Sequence, residues 1–217
     1  YKYTMSESDA LKQHLLRYIF PLSDSLSVGA YSVWSKLKLQ QELQDTDARG
    51  QARLLGLFAD KWIVSKDDLD IRGNIGFDLK NIKNYLLGAE TSRDHVRMLK
   101  LGLDIDWNAF EGRNIILPEL NFGFSDIFNG MDEKDARSSR AGAGAGGEFT
   151  KALLTYYRLQ RLPWEMTLLW KNSAQISNTN LVASEQFQIG GAASVRGYPP
   201  AERSGDKGFY TSPEVSF

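Results

Sequence analysis

The 217 residues contain no cysteine, so neither a disulfide framework nor thiolate metal chemistry is open to them. Histidine is nearly as scarce: His14 and His95 each stand without a second ligand three or four residues away, and no metal site is expected of them. Twenty-six basic side chains against twenty-seven acidic ones leave a formal charge of −1, which offers no net attraction to nucleic acid, and none is expected as a partner. No run of eighteen apolar residues occurs, so a transmembrane helix is excluded. The glycine-rich run 142–147 lacks the following Gly-Lys-Ser or Gly-Lys-Thr of a phosphate cradle, and no Gly-x-Ser-x-Gly nucleophile elbow is present. Neither a cofactor nor catalysis is expected.

A transmembrane β-barrel escapes every one of these exclusions, because its strands alternate apolar and polar residues and keep the mean hydropathy low. Alternation is the strongest positive signal in the chain. Leu69, Ile71, Gly73, Ile75, Phe77 and Leu79 interleave with Asp70, Arg72, Asn74, Gly76, Asp78 and Lys80. Leu99, Leu101, Leu103, Ile105 and Trp107 do the same against Lys100, Gly102, Asp104 and Asp106. With weaker cases added, nine strands are predicted, at 11–20, 25–39, 50–63, 69–83, 96–108, 114–124, 149–159, 163–174 and 208–217. Most are longer than the five or six residues usual in soluble sheets and suit tilted strands crossing a hydrocarbon core of about 30 Å.

The links between them alternate in length. Short ones fall at 21–24, 64–68, 109–113 and 160–162, and long ones at 40–49, 84–95, 125–148 and 175–207. In an up-and-down meander all the short links share one rim, as the periplasmic turns of outer-membrane barrels do. Strand parity puts Arg72, Asp78, Lys100, Asp104 and Asp106 on a polar, lumen-facing side, where Asp104 and Asp106 read as wall charges rather than an acid–base pair. Trp62, Trp107 and Trp164 fall toward the short-link rim and Trp170 toward the other, the pattern of interfacial girdles. The small-residue run from Ser138 to Gly147 reads as a flexible connection.

The most specific segment is the last. Glu185-Gln186-Phe187 and Gly190-Gly191 precede Val195-Arg196-Gly197-Tyr198, and Gly205-Asp206-Lys207-Gly208 and Glu214 follow. The tetrapeptide resembles the tip of the inward-folding sixth extracellular loop of the bacterial outer-membrane translocase superfamily. With its flanks, the segment is most similar to the two-partner secretion transporters of the haemolysin-activator (TpsB) type. The resemblance implies an all-β fold: an antiparallel transmembrane β-barrel of the bacterial outer membrane, with the nine strands standing as strands four to twelve of sixteen and 175–207 as the inward loop. Residues 1–217 are then part of one barrel domain, with periplasmic POTRA domains and the last strands not recognisable in the sequence.

The same resemblance implies a pore that exports a large unfolded exoprotein of haemolysin or adhesin type, in a monomeric barrel surrounded by outer-membrane lipid. An assembly insertase of the superfamily, and the barrel anchor of a surface patatin-like enzyme, are its alternatives. Val195, Arg196, Gly197 and Tyr198 would form the loop tip, with Tyr198 packed on the wall. Gly190, Gly191, Gly205, Asp206, Gly208 and Glu214 would lock or hinge the loop. The carboxylate that usually meets the tip arginine belongs to a strand thirteen not found here, so Arg196 is expected to lack it; Glu214 has the polar parity of its strand and is available to loop cations.

Overall fold

The computed structural model describes residues 2–5, 10–38, 47–192 and 194–217. Ten strands form one antiparallel sheet: β1 (Lys2–Met5), β2 (Leu11–Ser23), β3 (Leu26–Lys38), β4 (Arg49–Ser65), β5 (Leu69–Leu86), β6 (Ala89–Ala109), β7 (Gly112–Gly123), β8 (Phe149–Arg161), β9 (Thr167–Ser177) and, after a small hairpin of β10 (Phe187–Ile189) and β11 (Arg203–Gly205), β12 (Gly208–Ser216). Neighbours in the chain are neighbours in the sheet, and β12 returns to pair with β9. The sheet is open, with β1 and β12 at its edges.

All nine predicted strands are present. The tenth, β1, has four residues, too few to show a period by themselves. Several strands run past their predicted ends, β4 to 17 residues, β5 to 18 and β6 to 21. The expected long link 84–95 is instead a tight turn at Leu87 and Gly88, both with positive φ, as a two-residue hairpin loop requires. Asn84, Glu90, Ser92 and Arg93, which read as loop residues, stand in the ladder here, Asn84 opposite Ser92, Tyr85 opposite Glu90 and Lys83 opposite Arg93; the Asn84 amide donates to Ser92 at 2.9 Å, and Arg93 binds Glu90 within β6. The predicted link 40–49 lies mostly outside the described residues.

Register sorts the side chains onto two faces. Arg72 sits opposite Asp104, Lys100 opposite Asn121, Asn121 opposite Lys151 and Lys151 opposite Ser177, giving one polar face across β5 to β9. The other face exposes Leu16, Tyr18, Leu57, Ile75, Leu101, Leu120, Leu154, Ile176 and Phe209, with Leu57 61% accessible. An apolar face that runs across the whole sheet suits lipid, not water. Among the described residues no helix is long and apolar enough to cross a membrane, so the crossing is made by strands.

Two tryptophans depart from expectation. Trp170 lies near the short-link rim, because β9 starts at Thr167 after a turn in which Trp164 and Glu165 take positive φ. Trp62 shares the polar face, its ring 5.6 Å below the guanidinium of Arg72, next to a register shift between Trp62 and Val64. The densest apolar packing lies at the long-link rim. There Val96, Met98 and Phe149, from the polar face of β6 and β8, close against Met131 and Ala145 of the link 124–148 and against Leu181 and Val182 of the link 178–207.

Candidate functional site

The link 178–207 leaves β9 at that rim and turns back over the polar face. Its first element is a single 3-10 turn, Ala183–Glu185, that carries Glu185 to a position only 3% accessible. The carboxylate meets two ammonium groups there. Lys151 of β8 approaches at 2.8 Å and also donates to the Glu185 carbonyl at 3.2 Å, while Lys80 of β5 pairs with the other carboxylate oxygen. Gln175 of β9 adds its amide, donating to the carbonyls of Glu185 at 3.1 Å and Asp206 at 3.2 Å. Burial pushes the Glu185 carboxyl up, but Lys80 and Lys151 outweigh it and hold it below the usual carboxylate range.

Asp206 closes the returning end of the loop. It is bound by Arg140 of the link 124–148, and accepts the Leu181 N–H at 2.9 Å and the Gln186 amide at 3.2 Å. Burial works against its ionised form as well, and the Arg140 and Leu181 hydrogen bonds hold its carboxyl below the usual range. Other bonds join the two links to each other and to β6. Asp94 accepts the Ser139 N–H at 2.8 Å, Ser139 Oγ accepts the Ala183 N–H at 3.0 Å, and the Asn180 amide donates to the Ala143 carbonyl at 2.7 Å. The run from Ser138 to Gly147 is therefore a built contact rather than a flexible connection: its small residues allow a 3-10 turn at Ala141–Ala143 and the full burial of Ala145.

Beyond the base, β10 and β11 carry the chain to the tip. Gly190 and Gly191 adopt φ of 125° and 80°, and a Cβ at Gly190 would stand 2.2 Å from the Pro199 carbonyl, so the bend admits no side chain. At the tip Gly197 also has positive φ, Val195 is partly exposed, and Tyr198 is 59% accessible instead of packed on the wall. Arg196, expected to lack its usual carboxylate, pairs with Glu214 of β12, which also receives Lys171 at 3.3 Å. The Arg196 side chain remains 67% accessible. Gly205 ends β11 opposite Phe187, and Gly208 opens β12 beneath the Phe187 ring, which lies 6.2 Å from Tyr210.

The wall charges are paired among themselves. Arg72 binds Asp104, which also accepts Asn74 at 3.3 Å; Lys100 reaches Asp78 at 2.9 Å and the Tyr31 hydroxyl at 3.1 Å; and Asp106 holds Arg113 near the short-link rim. Asp104 and Asp106 thus serve different arginines. Sequence reasoning misses Lys80, Lys151 and Arg140 as loop anchors. Lys80 stands in the cleanest alternating row, but nothing local singles it out to meet a residue 105 positions later. Arg97 has the apolar parity of β6 and is nonetheless buried, its guanidinium donating to the carbonyls of Phe128, Lys80 and Asn129 where the link 124–131 folds across it.

An antiparallel sheet with one lipid-suited face, one polar face and a long link anchored over the latter defines a section of transmembrane β-barrel with an inward loop. Residues 5–217 match the family described as haemolysin secretion/activation protein ShlB/FhaC/HecB, and the chain belongs to that family. Its members are outer-membrane β-barrel transporters of two-partner secretion in Gram-negative bacteria. Among solved structures the chain is similar to CdiB from Escherichia coli, with a TM-score of 0.79 and 20% identity over 94% of this chain and 38% of that one. It is also similar to CdiB from Acinetobacter baumannii, with a TM-score of 0.68 and 15% identity over 94% of this chain and 36% of that one. At such identities the likeness is one of fold, and the chain spans little more than a third of either relative. No individually curated protein matches it by sequence.

Proposed function

We propose that this chain forms part of the translocation pore of a two-partner secretion transporter, through which a large exoprotein of haemolysin or adhesin type crosses the outer membrane as an extended polypeptide. The supporting observation is the loop 178–207, which lies over the polar face with its base ion-paired to β5 and β8 and its tip to β12. The polar face is then the lumen wall of a monomeric barrel set in outer-membrane lipid. Arg72, Asp78, Lys100, Asp104 and Asp106 offer a passing chain charges of both signs that are already neutralised by neighbours, so contacts with it stay weak and reversible. Val195, Arg196, Gly197 and Tyr198 form the plug that must move. Glu214 is its latch, Gly190 and Gly191 its hinge, and Gly205, Asp206 and Gly208 its fixed return.

The test is secretion of the cognate exoprotein by cells carrying Arg196→Ala in the full-length transporter. Exoprotein in the medium should fall at least tenfold while the barrel reaches the outer membrane in normal amount. Normal secretion at normal abundance would sink the plug role. Defects spread across many outer-membrane proteins on deletion of the transporter, with exoprotein export intact, would point to an insertase.

A further inference from the structure

One stretch of the link 124–148 lies on the outside of the wall. Phe124 still pairs with β6, its N–H bonding the Arg97 carbonyl at 2.9 Å, and Met131 rejoins that strand at the His95 carbonyl, at 3.0 Å. From Met131 the chain runs on the polar side, packed with Val96 and Phe149. Residues 125–130 are therefore an excursion pinned at both ends, and Arg97 shows to which side it goes. Arg97 shares the membrane-facing parity of Leu99 and Leu101. Its guanidinium donates to the carbonyls of Phe128, Asn129, Lys80 and Val96 and to the Asn81 side chain, one acceptor for each of its N–H groups. The excursion reaches the aliphatic belt: Phe128 meets the Phe77 ring edge-on at 5.9 Å and Phe124 stacks on it at 6.5 Å, and Phe77 stands between Leu57 and Leu99.

What this fold presents outward is apolar, with Phe128 71% accessible and Ile127 38%. Both lie over the middle staves β5 and β6, away from the two edges of the sheet. The presentation carries strain, since Asp126, Phe128 and Asn129 all have positive φ, where a bulky side chain crowds its own backbone. In water an exposed phenyl ring would offset none of that strain; among acyl chains its transfer out of water does. The height is right for such a transfer. On the same face of β6, Trp107 near the short-link rim lies ten residues below Arg97. At the usual rise and tilt that is about 25 Å of height, the height of the apolar band of an outer-membrane barrel. Phe128 thus stands at the upper border of the band, on the extracellular, long-link side. Leu87, 73% accessible, lies eight residues beyond Leu79, the partner of Arg97. By the same measure it stands about 20 Å above the border.

We propose that the excursion 125–130 is a membrane anchor of the extracellular rim: Phe128 and Ile127 embed among the outer ends of the lipid acyl chains, and Arg97 is the clasp that holds the segment to the outside of the wall. The same link goes on to bind Asp206 through Arg140, so lipid holds the outer end of a strap whose inner end holds the inward loop. The test uses the full-length transporter in dioleoylphosphatidylcholine vesicles, with a nitroxide on Phe128→Cys and cysteines elsewhere in the full chain replaced by serine. Power-saturation electron paramagnetic resonance reads the label's access to oxygen and to a polar nickel chelate. Leu101→Cys supplies the reading for the belt and Leu87→Cys that for water. The Phe128 label should show high oxygen access, with nickel access about tenfold below that at Leu87, because a polar chelate enters hydrocarbon unfavourably. Adding Arg97→Gln should raise nickel access at the label toward the Leu87 value; no change would overturn the clasp. Nickel access equal to that at Leu87 in the parent would overturn the anchor. So would exclusion of both reagents, the mark of a protein seated on the ring, a second copy of this chain included. If Phe128→Cys does not reach the membrane, the label on Ile127→Cys decides by the same readings.

Discussion

The base and the tip of the loop 178–207 are held by different physics. At the base, Glu185 is 3% accessible, faces two ammonium groups, and is backed by the Asp206 bonds and the Leu181 and Val182 packing. At the tip, one arginine that is 67% accessible meets one carboxylate on β12. Taking one partner from a buried pair is costly, because the other charge is left without water or counter-ion. Exposed pairs contribute little, being screened and entropically loose. The loop is thus a fixed stem carrying a releasable head, with the bend at Gly190 and Gly191 between them.

The sharpest way to break that contrast is Glu185→Gln. It leaves the Lys80 and Lys151 ammonium groups facing an uncharged amide, and a loss of about 3–5 kcal/mol is expected. Unfolding in denaturant and protease cleavage within 190–202 measure it; a loop as resistant as the parent's would mean that the stem is held elsewhere. Asp206→Asn should follow at about 1–3 kcal/mol, since Arg140 loses its counter-ion while the Leu181 N–H keeps an acceptor.

Acidification tests the same stem without mutation. Both carboxyls are held below their ordinary values of about 4.3 for Glu and 3.9 for Asp, so their contribution is complete above those values and is lost as pH falls through the lowered ones. Protection of the loop from hydrogen exchange should therefore be flat from neutrality to about pH 5 and decline below about pH 4. A decline that begins near pH 6 would implicate another group. The smallest effect on stability belongs to Arg196→Ala, which should leave the unfolding transition in place while secretion fails. A clear shift of that transition would erase the distinction between stem and head.

Much of the wall was legible because lipid on one side imposes a two-residue period, and Leu69 to Lys80 carries it without interruption. The same physics explains where reading stopped. In the upper parts of β5 and β6, from Asn81 to Arg93, neither face is aliphatic, so residues that extend the strands looked like a link. The register shift beside Trp62 hid its side of the sheet. The loop was readable through motif resemblance, its anchoring was not: Lys80 and Lys100 share the polar parity of adjacent alternating strands, and only the folded loop, which brings Glu185 to Lys80 and Lys151, makes the choice.

That choice has a mechanical consequence. Lys80 is on β5 and Lys151 on β8, with β6 and β7 between them, so one carboxylate holds two staves that never touch each other. Glu185 acts as a spoke across an arc of the rim, and any widening or flattening of the wall at that height must stretch its two ion pairs. The girth of the barrel and the seating of the loop are in this way one variable, and strain applied to either is felt by the other.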